Sequence, residues 1–226
     1  MSRARKESFT DLLESRDVHI LPSGLSGTLS VPAAAPGLVL FAHGSGSSRL
    51  SPRNRAVAHA LNAHGIATLL FDLLTPEEEP DRANVFDVPL LANRLVEAAR
   101  WTRDCGIALP LGFFGASTGA AAALVAAADM PDQIAAVVSR GGRPDLAGNA
   151  LERVRAPTLL IVGGNDSGVI ELNEQAFARL RAPKKLEIVA GASHLFPEPG
   201  ALEAVMRLAT EWFARHLAPR SSPSRA

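Results

Sequence analysis

One serine stands between two glycines where two apolar runs meet. Ser117 is the centre of Gly115-Ala-Ser-Thr-Gly119, which follows the apolar residues 109–114 and precedes an alanine-rich run to residue 128. The first run predicts a buried strand and the second a helix. A G-x-S-x-G turn between a strand and a helix is the pattern of a nucleophile elbow, whose serine hydroxyl stands clear of the sheet. The alternative is a turn whose small residues only allow close packing.

The chain also offers partners for this serine. A serine hydroxyl needs a neighbouring base at neutral pH, and an imidazole supplies one. Asp166 follows the apolar residues 158–163, and His194 follows the apolar residues 186–189. Loops after parallel strands gather at one edge of a sheet, so we predict a triad in which Asp166 orients His194 and His194 moves the proton of Ser117. The alternatives are a surface histidine and an aspartate that only makes a turn.

An oxyanion hole requires two backbone N–H donors. We predict that Thr118, the residue after the serine, supplies one of them. The loop after residues 38–42 supplies the other, with Ser45 as the first choice and Gly46 as the second. His43 lies in the same loop, and we interpret it as a structural brace rather than as a catalytic base.

Three arginines lie in loops predicted at the same edge of the sheet, namely Arg49, Arg140 and Arg143. A guanidinium there could bind a carboxylate or a phosphate through two parallel hydrogen bonds. The hypothesis is that Arg140 selects an anionic ester. The alternative is that these arginines are solvated, or brace the loops by pairing with Asp145 or Glu77.

The elements that must position these groups alternate between strands and helices. We predict two half-exposed strands at residues 17–20 and 25–31, then buried strands alternating with helices, the first of which has Ser51 as its N-cap. Residues 139–158 leave no room for a cap domain over the site. We predict an arm at 1–14, one domain at 15–218, and a disordered Ser/Pro/Arg tail at 219–226.

Composition narrows the functional classes. The 226 residues are 47% apolar and carry 23 basic and 23 acidic side chains, so no net charge attracts nucleic acid or an anionic membrane. The single cysteine, Cys105, excludes an internal disulfide framework and fits a reducing, cytoplasmic location. His59 and His64 are five residues apart, which does not keep one helical face, so we expect no metal and no cofactor.

These motifs carry a family resemblance. Residues 18–217 resemble the α/β-hydrolase superfamily, and the short layout without a cap is similar to its dienelactone hydrolase-like branch. The segments His43-Gly-Ser-Gly-Ser-Ser-Arg49, 70–79 and Ser139-Arg-Gly-Gly-Arg-Pro-Asp145 are similar to those of small bacterial hydrolases of that branch. The resemblance implies a three-layer α/β fold: a mostly parallel sheet with antiparallel N-terminal strands, helices on both faces and no cap.

The resemblance also implies an activity. Dienelactone hydrolases proper have cysteine where this chain has Ser117, and a glutamate by the oxyanion strand where this chain has Phe41-Ala-His-Gly44. The expected activity is therefore serine hydrolysis of small carboxylic esters, thioesters or lactones. Acyl transfer or perhydrolysis by the same triad, and a non-catalytic ligand-binding module, stay open as alternatives. The expected partner is a small-molecule ester, without nucleic acid or membrane, and a homodimer is possible.

Overall fold

A computed structural model describes residues 13–217. Its strands are Leu13–Ile20 (β1), Leu25–Pro32 (β2), Leu38–Ala42 (β3), Ala67–Phe71 (β4), Leu111–Ala116 (β5), Ile134–Arg140 (β6), Thr158–Gly163 (β7) and Lys184–Val189 (β8). Its helices are Pro52–Ala63 (α1), Arg82–Phe86 (α2), Val88–Asp104 (α3), Thr118–Asp129 (α4), Ser167–Arg179 (α5) and Ala201–Leu217 (α6). A 3₁₀ helix covers Pro144–Arg153.

The strands form one mostly parallel sheet. Its order is β1-β2-β4-β3-β5-β6-β7-β8. β1 and β2 pair antiparallel, β2 pairs antiparallel with β4, and the remaining neighbours are parallel. The predicted parallel sheet with an antiparallel N-terminal start is therefore confirmed. Since β5 lies near the middle, the turn after it has neighbouring loops on both sides.

Helices cover both faces of this sheet, as predicted. Successive side chains of a strand point to opposite faces, so Phe113 and Phe114 of β5 enter different cores. The core on the Phe114 side packs α1 and α6 against the sheet, and Phe213 of α6 lies so close to Gly112 that a Cβ there would be 2.7 Å from its ring. The other core packs α3 and α4 against the sheet, including Leu95. The result is the expected three-layer arrangement.

Local signals explain several element boundaries. The side chain of Ser51 accepts a hydrogen bond from the N–H of Asn54, so it caps α1 as predicted. β8 begins at Lys184, two residues before the predicted strand, because its backbone pairs with β7 from Thr158 onward. The Lys184 Nζ donates to the carbonyls of Phe177 and Leu180 at the end of α5. Because charged residues at the start of an edge strand interrupt the apolar pattern, the sequence predicts a shorter strand.

The predicted domain limits agree only in part with the described residues. β1 begins at Leu13, inside the predicted arm at 1–14, because its backbone pairs with β2 up to Pro32. Residues 1–12 and the tail at 219–226 lie outside the described residues. Within residues 139–158, only the 3₁₀ helix intervenes between β6 and β7, so no cap domain is inserted between these two strands. No helix in residues 13–217 has the length and apolar character needed to cross a bilayer.

Candidate active site

The turn between β5 and α4 holds Ser117 in a strained backbone conformation. Its φ of 52° and ψ of −122° lie in a region that side-chain-bearing residues rarely adopt. A Cβ on Gly115 would be 2.4 Å from the Cα of Ala120, and a Cβ on Gly119 would be 2.3 Å from the carbonyl oxygen of Ala42. Glycine is therefore required on both sides, and the predicted elbow is formed.

Asp166 and His194 are in direct contact. Asp166 precedes α5 after β7, His194 follows β8, and the Nδ1 of His194 lies 2.6 Å from the Oδ2 of Asp166. Their side chains are 19% and 38% exposed, so the pair is reachable from solvent. If Nδ1–H donates to the carboxylate, the neutral ring has an unprotonated Nε2 that can accept a proton.

One loop contacts both Ser117 and the segment that carries His194. The N–H of Ser117 donates to the carbonyl of Arg140 at 3.3 Å, and the N–H of Arg143 donates to the carbonyl of Ser117 at 3.0 Å. Between these arginines, Gly141 has a φ of 50°, and a Cβ there would be 2.8 Å from the carbonyl oxygen of His194. The structure thus brings the three predicted triad residues to one edge of the sheet, where this loop contacts both Ser117 and the His194 segment.

The loop after β3 lies against Ser117. A Cβ on Gly44 would be 3.0 Å from the Cβ of Ser117 and 3.7 Å from its Oγ. The N–H of Ser45 donates to the Oγ1 of Thr118 at 3.0 Å. An oxyanion bound at Ser45 would share this N–H with the Thr118 hydroxyl or displace it. The oxyanion roles of Ser45, Thr118 and the second choice, Gly46, stay predictions.

His43 joins two loops of the site. Its Nε2 accepts a hydrogen bond from the N–H of Leu73, and its Nδ1 lies 3.0 Å from the carbonyl oxygen of Gly44. This pattern requires a neutral ring with the proton on Nδ1. Burial is the largest effect on the pKa of His43 and lowers it from the ordinary value of 6.5. These contacts agree with the structural role that the sequence predicts for His43.

The three candidate arginines have partners other than a substrate. Arg49 pairs with Asp72, both through its N–H and through its guanidinium, and Arg143 pairs with Asp145 through two nitrogens. Arg140 is the last residue of β6 rather than a loop residue, and it is 5% exposed. The substrate-binding role of these arginines stays a prediction.

The surroundings of Arg140 are unusual for a charged side chain. Its guanidinium donates to the Oδ1 of Asn54 in α1 at 3.0 Å, and no carboxylate of residues 13–217 forms an ion pair with it. Burial, with a smaller repulsion from Arg53, lowers the pKa of Arg140 to about 10. The side chain still carries a positive charge at neutral pH.

A cavity lies beside the site, and most of the residues that line it have no functional role predicted from the sequence. It encloses about 700 Å³ next to the loop after β3. Its outer wall is the segment Thr75–Phe86, which includes α2. The sequence signal for this wall is weak, because Val85 and Phe86 are the only large apolar side chains in an acidic, proline-bounded stretch.

A solved relative decides the family. The crystal structure of a dienelactone hydrolase from Anabaena variabilis is 56% identical to this chain, with a TM-score of 0.86, and the match covers 90% of this chain and 97% of that one. The chain belongs to the dienelactone hydrolase-like branch of the α/β-hydrolases. The solved structure of Est1E from Butyrivibrio proteoclasticus has the same fold at 16% identity and a TM-score of 0.76, over 91% of this chain and 99% of Est1E.

Relatives of this α/β-hydrolase also occur as halves of longer proteins. Two Mycobacterium tuberculosis proteins, from strains CDC 1551 and H37Rv, are 57% identical over 209 residues and are named "Putative phosphoribosyl transferase". The match covers 91% of this chain but 47% of each relative, so the chain spans about half their length. No family model matches the chain.

Among residues 13–217, no group of three or more His, Cys, Asp or Glu side chains is placed to hold a metal ion.

Proposed function

We propose that this chain is a serine hydrolase that cleaves small carboxylic esters, thioesters or lactones through an acyl-enzyme. One observation carries the proposal: His194 is hydrogen-bonded to Asp166, and the loop that contacts the His194 segment also bonds to the backbone of the strained Ser117 turn. Ordinary packing does not require a carboxylate hydrogen-bonded to an imidazole at the same edge of the sheet as a serine with positive φ. Acyl transfer chemistry requires all three.

The mechanism follows from the roles of these groups. The Oγ of Ser117 attacks the acyl carbon while the Nε2 of His194 takes its proton, and Asp166 stabilises the imidazolium. The backbone N–H groups of Thr118 and Ser45 hold the oxyanion of the tetrahedral intermediate. Collapse of the intermediate breaks the acyl bond, and His194 gives its proton to the departing alcohol, thiol or ring oxygen. Water then repeats the sequence on the acyl-enzyme and restores Ser117.

The test compares Ser117→Ala with the wild type. We expect the wild type to hydrolyse p-nitrophenyl acetate and to be labelled by a fluorophosphonate probe, and the variant to do neither while keeping its circular dichroism spectrum. Ser30→Ala is a matched control, since Ser30 lies on β2, three strands from β5, and bonds to Ser15. Full turnover by Ser117→Ala would refute the proposal. Added methanol or hydrogen peroxide shows whether an acceptor other than water takes the acyl group.

The longer M. tuberculosis relatives motivate a second proposal. We infer that the half of those relatives that matches this chain does not itself transfer a phosphoribosyl group, and that this chain acts as a hydrolase. This chain alone should then release no pyrophosphate from phosphoribosyl pyrophosphate while it still cleaves esters. Pyrophosphate release that survives Ser117→Ala would favour the transferase name for this chain as well.

We also propose a cytoplasmic location. The single cysteine, Cys105, supports it because it is exposed and unpaired, which suits a reducing compartment. Detection of the native protein in the soluble cell fraction, rather than outside the cell, would test this location.

A further inference from the structure

We propose that the cavity beside the loop after β3 binds the acyl group of the substrate, and that this group is uncharged and apolar. The proposal rests on the proposed hydrolase function and adds the substrate class. The lining comes from the end of the β1–β2 turn, the loop after β3, the segment after β4, and α2 with the start of α3. A volume of about 700 Å³ lies within the usual range for small-molecule sites.

The cavity begins next to the nucleophile. Gly44 lines it, and the backbone of Gly44 is so close to Ser117 that a Cβ on it would be 3.7 Å from the serine Oγ. Ser45, the predicted oxyanion donor, also lines the cavity. A carbonyl whose oxygen points at Ser45 therefore has its carbon close to Ser117 and one of its substituents at the cavity mouth.

The strand order decides which substituent enters. The cavity lies on the β2, β4 and β3 side of β5, whereas Asp166 and His194 follow β7 and β8 on the other side. The leaving group must lie at the imidazole, because His194 protonates it. The leaving group therefore faces the β7–β8 side, and the acyl group faces the cavity.

The walls of the cavity are largely apolar. Seven large apolar side chains line it: Leu25, Leu50, Leu73, Leu74, Val85, Phe86 and Leu91. Leu50 and Phe86 are 56% and 51% exposed, which is high for such side chains. An apolar acyl chain would remove their surface from water, which stabilises the complex in proportion to the area covered.

The charges of the cavity are balanced. Arg49 is paired with Asp72, and the guanidinium of Arg82 lies over the ring of Phe86 at 5.9 Å from its centre. Glu79 supplies a further negative charge, and His43 is neutral in its hydrogen-bonding pattern. The two arginines, Arg49 and Arg82, are thus matched by two carboxylates, Asp72 and Glu79, so the lining has no excess positive charge for an anionic acyl group and favours an uncharged one.

The experiment uses a series of p-nitrophenyl esters with acyl chains of increasing length. We expect kcat/KM to rise by at least about tenfold from acetate to hexanoate, since each buried methylene favours binding. Val85→Trp fills the cavity and should reduce the hexanoate-to-acetate ratio about tenfold. Phe86→Ala, at an exposed position that tolerates substitution, should also reduce the ratio. Ile188→Trp is the matched control, because Ile188 is 48% exposed on the β8 edge and does not line the cavity.

Two further series complete the test. The p-nitrophenyl monoester of adipic acid, as long as the hexanoate ester but anionic, should react at least about tenfold more slowly than the hexanoate ester. Acetates with different leaving groups should keep their relative rates in Val85→Trp and Phe86→Ala.

Each contrary outcome is distinct. A flat acyl series, a ratio unchanged by both variants, or a shift confined to the leaving-group series overturns the acyl cavity while leaving the hydrolase function standing. If the anionic ester reacts as fast as the hexanoate ester or faster, the proposed preference of the cavity for an uncharged acyl group is overturned. No hydrolysis of any ester and no fluorophosphonate labelling of the wild type would instead overturn the hydrolase function, and the acyl cavity with it.

Discussion

The N–H of Ser45 donates a hydrogen bond to the Oγ1 of Thr118 across 3.0 Å. This bond joins the loop after β3 to the first residue of α4, directly beyond the nucleophile. The two predicted oxyanion donors are therefore directly linked, because the side chain of Thr118 holds the backbone of Ser45 in place.

This bond predicts the behaviour of Thr118→Val. Valine keeps the shape of threonine but removes the acceptor, so the loop that carries the Ser45 N–H loses an anchor. We expect kcat for p-nitrophenyl butyrate to fall about tenfold with little change in KM, because an oxyanion donor acts mainly in the transition state. Thr118→Ser keeps the hydroxyl and should retain most of the activity. An unchanged kcat in Thr118→Val would separate the bond from catalysis.

The environment of His43 predicts a pH dependence of stability. Its neutral Nε2 accepts from Leu73, and burial lowers the folded-state pKa below the ordinary 6.5. The unfolded chain then binds more protons than the folded protein between the lowered pKa and 6.5, so the free energy of unfolding falls as the pH drops through this window. Below the lowered pKa the loss is complete.

His43→Gln isolates this effect. Glutamine keeps an amide that can pair with Leu73 but does not titrate, so urea unfolding of the variant should depend less on pH between pH 5 and 7.5 than that of the wild type. His216, whose pKa is also lowered by burial, is present in both proteins and cancels in the comparison. Parallel pH profiles for the two proteins would contradict the prediction.

The burial of Arg140 predicts that it does not select anionic substrates. The guanidinium contacts Asn54 beneath the surface and is 5% exposed. We therefore expect Arg140→Met to leave the ratio of kcat/KM for anionic and neutral esters unchanged. A ratio that falls in this variant, but not in Arg153→Met on the exposed 3₁₀ helix, would restore the role that the sequence suggested.

Gly119 should not tolerate a side chain. A Cβ there would lie 2.3 Å and 2.5 Å from the carbonyl oxygens of Ala42 and His43, which are backbone atoms of the central sheet and its loop. We expect Gly119→Ala to reduce the free energy of unfolding by about 2–3 kcal/mol in urea titrations. Gly168→Ala is the control: no atom lies within 4 Å of its added Cβ, and alanine should stabilise α5 by about 0.5–1 kcal/mol. Similar midpoints for both variants would refute this packing argument.

The sequence predicts the sheet well because its central strands are buried on both faces. Runs such as 38–42 and 158–163 consist of apolar residues bounded by turn signals, and each forms a strand. The sequence does not predict α2, since a five-residue helix capped by Asp81 is too short for an amphipathic period. The sequence does not predict the strand start at Lys184, because the charged Lys184 side chain binds carbonyls at the end of α5 and does not contribute to the apolar pattern of a strand.

Chain order and loop position predict a meeting of Asp166 and His194, and the two residues are in contact. The partners of the three arginines are not predictable from the sequence, because an ion pair such as Arg49–Asp72 joins two loops that approach each other only in the folded protein. The cavity is likewise not predictable, because its size depends on the distance between the loop after β3 and α2, and no local sequence pattern determines that distance. The sequence therefore predicts which residues follow each strand, but it does not predict which side chains of distant loops pair with one another.

The loop from Arg140 to Arg143 has a consequence for engineering this chain. Its backbone bonds to Ser117 and contacts the His194 segment, so a change there would alter the positions of the proposed nucleophile and the proposed base together. Libraries that randomise this loop would mostly yield inactive clones. The segment Thr75–Phe86 has no such ties to either group among the described contacts, and diversity introduced there would retune selectivity while sparing turnover.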